Sequence, residues 1–268
     1  FLSQDGAFAG RLHSNLSKIA ALRQNQYRQS LNPVFRLAQA RAIVGGKIAN
    51  FISFARRQNN ADAAKLASLK SLRQKAGQAA TLESLLGVEG AASAIYFRIL
   101  GNCFTDGWKF EKRTSHPPKD AINSLLSLSY TLLYNRMTAM CNIVGLDPYL
   151  GFFHTAKHGH AAMASDLMEE FRPVFADALV LKLLNRKQII LSDVKKSKGK
   201  FQLSQKAFAV FLNEFEEKLG SRRRLAVSTD ADEAAYNLSF AQIIERQARQ
   251  MANVIQEKEK VYQPFSPK

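Results

Sequence analysis

Cysteine is nearly missing from this chain. Cys103 and Cys141 are its only thiols and neither belongs to a CxxC pair, so neither a zinc ribbon nor a disulfide framework is indicated. Such usage fits a reducing, cytoplasmic setting. Long apolar runs are missing as well. The most apolar stretch, Val174 to Leu184, is interrupted by Asp177 and Lys182 and falls short of the roughly 20 residues a membrane span requires, so no membrane segment is expected. Acids are scarce in the first third: residues 1 to 80 carry 13 Lys and Arg against Asp5 and Asp62 alone, a net of +11. Internal repeats and low-complexity linkers are absent too.

What is present suits a folded protein. The 268 residues are 46% hydrophobic and 10% aromatic, enough for one substantial core or two small ones. The 38 Lys and Arg outnumber 22 Asp and Glu to give +16, which points to a polyanionic partner, nucleic acid foremost. The acid-poor first third reads as a basic arm, with a generally solvated basic surface as the alternative. The chain starts at Phe1, and FLSQDGAFAGRL reads as the end of a strand and a turn rather than as a signal peptide, so the later part of a longer protein is expected.

Periodicity predicts a mainly α fold, with only a few short strand candidates. Pro33 opens a segment in which Ile43, Val44, Lys47, Ile48, Phe51 and Ile52 keep helical spacing, while Gly45 and Gly46 weaken it and hint at a close contact. Further helices are expected over 63–75, 81–100 with Gly101 as stop, and 121–144 between an Asp120 cap and Gly145. Residues 106–119, with Pro117 and Pro118, read as a loop. After that come a helix over 161–184, a basic turn KKSKGK, a short strand over 200–203, and helices over 205–219 and 232–257.

Two places carry chemistry. On the stripe Leu82, Leu85, Leu86, Glu89, Ala92, Ser93, Tyr96, Glu89 is ionisable where an apolar residue is expected. Burying a carboxylate costs several kcal/mol as an order of magnitude unless a cation, a metal or hydrogen bonds offset it, and the flanking Gly87 and Gly90 would admit a ligand or a backbone. A Glu at the stripe's margin paired with a base such as Arg98 is the alternative. The second place is GLDPYLGFFHTAKHGHAAMASDLMEEFRP, residues 145–173, which sets His154 on a loop and Asp166 and Glu169 on one helix face. Like charges three apart disfavour each other by a few tenths of a kcal/mol unless a cation lies between them, and a solvated acidic face is the alternative to a metal. Pro173 lacks an N–H and deprives the Glu169 carbonyl of its helical donor, which predicts a bend. Carboxylates with an imidazole suit Mg²⁺ or Mn²⁺. Glu170 points elsewhere, as a surface or salt-bridge residue. His158 and His160 extend an H-x3-H-x-H pattern that is a weak zinc signal without cysteines or HExxH.

The 145–173 stretch resembles the signature of the CRISPR adaptation integrases, the family of CRISPR-associated protein one, in which a histidine follows a GLDPYLGF-like loop and precedes a DLMEEFRP-like helix. LLGVEGAASAIYF, RAIVGGKIANFI, KRTSHPPKDAINSLLSLSYTLLYNRM, RPVFADALVLKLLNRK and YQPF are similar to further family segments in the same order. The resemblance covers nearly the whole chain. It implies that residues 1–12 end a β-rich N-terminal domain and that 13–268 form a helical, metal-dependent catalytic domain. Glu89, His154 and Glu169 then take the metal-ligand positions for Mg²⁺ or Mn²⁺, with Asp166 an accessory acid. The implied activity is endonuclease and integrase chemistry in spacer acquisition: prespacer DNA ends carrying 3′-hydroxyls are joined to CRISPR repeat DNA. Implied partners are a second copy in a homodimer, a dimer resembling CRISPR-associated protein two, and a fused or associated reverse transcriptase. Candidate DNA contacts are Lys109, Lys112, Arg113, Lys157, Arg172, Arg222, Arg223 and Arg224, whose alternative is a solvated basic surface. A catalytically silent helical scaffold and a hydrolytic structure-specific nuclease are the competing readings.

Overall fold

The computed structural model describes residues 17–58, 62–105, 107–114, 117–155, 157–197, 200–229 and 232–267. The expected strand-and-turn remnant at 1–12 lies outside them. Helices dominate: α1 Ser17–Leu31, α2 Pro33–Arg56, α3 Ala63–Gln78, α4 Leu82–Gly101, α5 Ala121–Val144, α6 Ala162–Met168, α7 Ala178–Asn185, α8 Gln205–Gly220 and α9 Phe240–Ile255. Among the described residues no helix is long and apolar enough to cross a membrane.

The helix boundaries follow local chemistry. Asn32 accepts from the N–H groups of Val34 and Phe35, and Pro33 fills the first helical position, where a missing N–H matters least. Asp62, Thr81 and Asp120 cap α3, α4 and α5 in the same way, and Gly145 ends α5 in the left-handed conformation at φ 100°. Gly45 and Gly46 do not interrupt α2. Gly46 makes the expected close contact: a Cβ there would lie 2.2 Å from Pro264 of the C-terminal tail. Gly87 and Gly90, by contrast, face open space, so no backbone uses the room they leave.

Three expectations are corrected. The helix foreseen over 161–184 is broken. α6 stops at Met168, Glu169 and Glu170 form a turn, and Arg172–Asp177 winds as a π-helical segment before α7. Pro173 is the cause, since it cannot donate to Glu169 and the chain must rewind around the gap. The basic turn closes a hairpin, β1 Val194–Ser197 on β2 Lys200–Leu203, so a strand precedes it as well as follows it. Residues 232–239 are not helical: β4 Asp232–Ser239 pairs antiparallel with β3 Arg222–Thr229, Leu225 opposite Tyr236. The alternation Leu225, Val227 and Tyr236, Leu238 outweighs the helix propensity of the intervening Glu and Ala residues. α9 starts only at the capping box of Ser239 and Gln242.

α5 runs through the centre and packs on α6, α7, α9 and the π-helical segment, while α2 packs on α3, α4 and the same segment. Phe51 stacks on Tyr96 at 4.0 Å between ring centroids, joining α2 to α4, and Phe175 meets Phe215 and Phe240, joining the π-helical segment to α8 and α9. One apolar core therefore holds α2, α4 and the Glu169 turn against one another.

Candidate active site

Four separate pieces of chain deliver the site: α2 brings Lys47, α4 brings Glu89, the loop before α6 brings His154, and α6 with its terminal turn brings Asp166 and Glu169. Asp166, 1% exposed, does not point toward Glu89. Its Oδ2 accepts from the N–H groups of Phe152 and Phe153 at 2.6 and 3.0 Å, and its Oδ1 from the N–H of His154 at 2.9 Å. The same Oδ1 lies 2.7 Å from His154 Nδ1. A carboxylate accepting there keeps the proton on Nδ1 and leaves the Nε2 lone pair to face Glu169, whose Oε1 is 3.8 Å away. The loop comes this close because residue 151 is glycine: a Cβ there would lie 2.7 Å from Asp166 Oδ2.

Asp166 and Glu169 are three apart as anticipated, yet the turn after Met168 sends them to different partners. His154 lies between them, hydrogen-bonded to Asp166 through Nδ1. Burial alone would push its pKa down, but the hydrogen bond to Asp166 and the charges of Asp166 and Glu169 outweigh it and hold the pKa above the ordinary value.

Glu169 is 2% exposed. Burial raises a carboxyl's pKa, but Arg172, Lys47 and His154 surround this one and hold it at about 2, so it is ionised at any working pH. Arg172 Nε donates to Glu169 Oε1 at 2.9 Å, and its guanidinium lies 4.6 Å from the centre of the Tyr130 ring. The Lys47 ammonium stands 2.5 Å from Glu169 Oε2 and 2.5 Å from Glu89 Oε1. Toward Glu89 it makes a hydrogen bond; toward Glu169 it lies off-axis, so the buried Oε2 has a cation beside it and no aligned donor. Ser93 Oγ donates to Glu89 Oε1 at 2.6 Å. The base paired with Glu89 is thus Lys47 of α2, and not Arg98 further along α4.

Lys47, Glu89, Ser93, Arg113, Tyr130 and Arg172 help to line a cleft of about 260 Å³. Arg113 donates to Asn123 Oδ1 and Ser127 Oγ, both at 3.0 Å, and lies 5.1 Å from the Tyr130 ring centre. Beneath it the buried Asp177 accepts from the hydroxyls of Tyr96 and Tyr130 at 2.8 and 2.5 Å. The structure therefore gathers Glu89, His154, Asp166 and Glu169 at one place, with Arg113 and Arg172 at the same cleft. Lys109, Lys112, Lys157, Arg222 and Arg223 are exposed and stand outside this cluster; the side chain of Arg224 is outside the description. His158 is exposed, and His160 lies face to face with the Tyr134 ring at 5.9 Å while its Nε2 meets Ser165 Oγ, so the zinc pattern does not assemble.

Two residues were missed. Lys47 carried the same signal as Glu89, an ionisable group inside an apolar helical stripe, and was read only for its spacing. Glu170 was expected at the surface. It is buried instead, accepting from the Tyr262 hydroxyl and the Phe265 N–H, both at 2.8 Å. Partners more than ninety residues away leave no local trace.

Among the described residues no three ligand-type side chains form a ready-made ion cage, because an ammonium stands between the two glutamates. The donor chemistry nonetheless fits a hard divalent ion. Glu169 is ionised, its Oε2 is buried without an aligned donor, and an oriented imidazole nitrogen lies beside it.

Residues 1–217 match the family model of CRISPR associated protein Cas1. The chain is 36% identical to the CRISPR-associated endonuclease Cas1 3 of Thermus thermophilus, over 99% of its own length and 77% of the relative's. It resembles a chain of a partial Cas6-RT-Cas1–Cas2 complex with a TM-score of 0.85 and 26% identity, over 98% of this chain and 79% of that one. It also resembles a Cas1 protein of Thermotoga maritima with a TM-score of 0.80 and 24% identity, over 97% and 81% of the two chains, a likeness that speaks for the fold alone. In sequence and in mainly α architecture, the chain belongs to the CRISPR-associated Cas1 family.

Proposed function

We propose that the chain joins prespacer DNA to the CRISPR repeat in spacer acquisition, by metal-dependent strand transfer at the cleft between α2, α4 and the Glu169 turn. The observation that carries this is the convergence of Glu89, His154 and Glu169 from three separate elements, with Asp166 fixing the imidazole. In the reaction the terminal 3′-hydroxyl oxygen of one DNA forms a bond to a phosphorus at the repeat boundary, the bond from that phosphorus to the 3′ oxygen of the preceding nucleotide breaks, and the proton given up by the attacking hydroxyl is matched by one taken up on the leaving oxygen, which ends as a new 3′-hydroxyl. The number of phosphodiesters is unchanged. Glu89, Glu169 and His154 Nε2 would hold a Mg²⁺ or Mn²⁺ ion, which supplies stabilisation of negative charge on the attacking and leaving oxygens. Asp166 orients His154, and Arg172 positions Glu169. Arg113 and Arg172 give the cleft a positive rim suited to the phosphate.

The relatives' names support the partners. One similar chain belongs to a complex containing a reverse transcriptase and Cas2. For this chain we propose a homodimer, a Cas2-like dimer bridging two such dimers, and a fused or associated reverse transcriptase.

A second reading has its own support: Lys47 neutralises Glu89 and Glu169 with no added ion, as a catalytically silent DNA-binding scaffold would require. A gel assay decides. A labelled 3′-hydroxyl DNA and a repeat duplex are incubated with the protein, its bridging partner and Mg²⁺ or Mn²⁺, alongside Glu89→Ala and a chelator. Joined products that vanish in both controls are expected. Binding without joining in every condition supports the scaffold, and free ends in place of joined ones support a hydrolytic nuclease.

A further inference from the structure

A second cavity lies apart from the catalytic cleft. It is a groove of about 960 Å³ between α2, α3 and the C-terminal tail. Lys47 and Ala49 are about 200° apart around α2, so the side of the helix away from the site faces this groove. Its walls carry Arg41, Arg56, Arg57, Lys70 and Arg73, and neither an acidic nor an aromatic residue lines it. Its floor includes Gly45, Gly46, Ala49 and Gly77, and at Gly45 and Gly77 nothing lies within 4 Å of where a Cβ would be. α2 and α3 contain no Asp or Glu at all. Arg41 is held in place by the Ala79 carbonyl, which accepts from its Nε at 2.8 Å.

We propose that this groove seats one phosphate backbone of duplex DNA, as a contact separate from the catalytic cleft. The inference rests on the reading that the substrate is DNA. From Arg41 to Arg56 the helix rises about 22 Å, so the row of cations is long enough to run alongside several successive phosphates of one strand. The open space at Gly45 and Gly77 lets a backbone approach closely. Sites for single strands add aromatic platforms on which bases stack, and none lines this groove, so the bases are not the groups recognised. An acidic peptide would need only the charge. A strand of regularly spaced phosphates also uses the length of the row. Binding here is sequence-independent and strongly salt-dependent.

The test is fluorescence anisotropy of a labelled duplex of arbitrary sequence, without divalent ion, across a series of salt concentrations. Lys70→Ala/Arg73→Ala is compared with the unaltered chain, both matched by thermal melting. Arg56→Ala on the other wall repeats the test should the double variant lose its fold. If both α3 cations contact phosphates, the double variant lowers the slope of log K against log salt by about 1.8 and weakens binding about 60-fold at 0.1 M salt. An unchanged slope and affinity in the groove variants overturns the proposal, as does a preference of the groove for single strands or polyglutamate over duplex. Failure of the joining assay with the groove slope intact counts against the catalytic reading alone. Joining intact with an unchanged slope counts against the groove alone.

Discussion

Asp166→Asn replaces one carboxylate oxygen by an amino group that cannot accept. The carboxylate takes two backbone donors on Oδ2 and one backbone donor plus His154 Nδ1 on Oδ1. With the amide oxygen on the Oδ1 side, two buried N–H groups, of Phe152 and Phe153, would face an amino group. With it on the Oδ2 side only one does, that of His154, so the second orientation wins. One unpaired N–H costs about 1–3 kcal/mol, and the two remaining bonds each lose about 1 kcal/mol in falling from charge-assisted to neutral strength, so roughly 3–5 kcal/mol of stability is lost. The amino group now meets His154 Nδ1, which must become the acceptor, and the ring proton moves to Nε2 on the side of Glu169. Urea unfolding measures the first effect and ¹⁵N chemical shifts of the imidazole the second. Joining activity should fall ten- to a hundredfold or more, as for other residues that orient a metal-ligating imidazole. Stability within 1 kcal/mol of the parent, or a His154 that keeps its proton on Nδ1, would refute the reasoning.

Glu170 is held up at about 8 by burial, against hydrogen bonds from Tyr262, the Phe265 N–H and Gln247. Between an unfolded value of 4.5 and a folded value of about 8 the folded chain binds the extra proton, so its stability is full below that window, declines on the order of several kcal/mol across it, and levels off above it. Glu170→Gln should flatten this decline in thermal melts run from pH 5 to 9. Lys47→Met leaves Glu89 and the buried Glu169 without the ammonium between them, and should destabilise the chain by about 3–5 kcal/mol at pH 7. Mn²⁺ should restore part of that loss in the variant and do less for the parent, a difference that melting temperature reads directly.

The helical scheme was legible wherever boundary signals and periodicity agreed, as at Pro33, Asp120 and Gly145. It failed where a non-local pairing decided. Residues 232–239 have the composition of a helix, but their backbone donors go to 222–229, and only the alternation of Leu225 and Val227 with Tyr236 and Leu238 hinted at that. Within the site, Glu89 was legible because an acid interrupts an apolar stripe, and Pro173 announced the break beside Glu169. The task of Asp166 was not, because accepting three backbone N–H groups leaves no mark in a sequence. Its spacing from Glu169 suggested two equivalent acids on one face, whereas the turn between them gives one to the imidazole and the other to Lys47.

The adjacent Glu169 and Glu170 show why this site needs the whole fold around it. Both are buried in one turn, yet three nearby cations hold Glu169 ionised at about 2, while burial with only neutral donors lifts Glu170 to about 8. The Glu170 side chain clamps the tail at Tyr262 and Phe265, and Asn50 of α2 donates to both the Glu170 and Phe265 carbonyls at 2.8 Å. The tail, α2 and the turn are thus fixed together behind Glu169, and α2 is also the helix that carries Lys47 to its front. Lys47, Arg113 and Arg172 stand against Glu89, Asp166, Glu169 and Asp177, whose carboxyl burial lifts only to about 6, so the site carries one net negative charge at neutral pH when His154 is neutral. On the proposed reading a divalent ion makes the cleft positive by one unless Lys47 withdraws or phosphates arrive. Ion and DNA therefore favour each other's binding, and the charge balance set by Lys47 keeps the site from holding an ion tightly before its substrate is present.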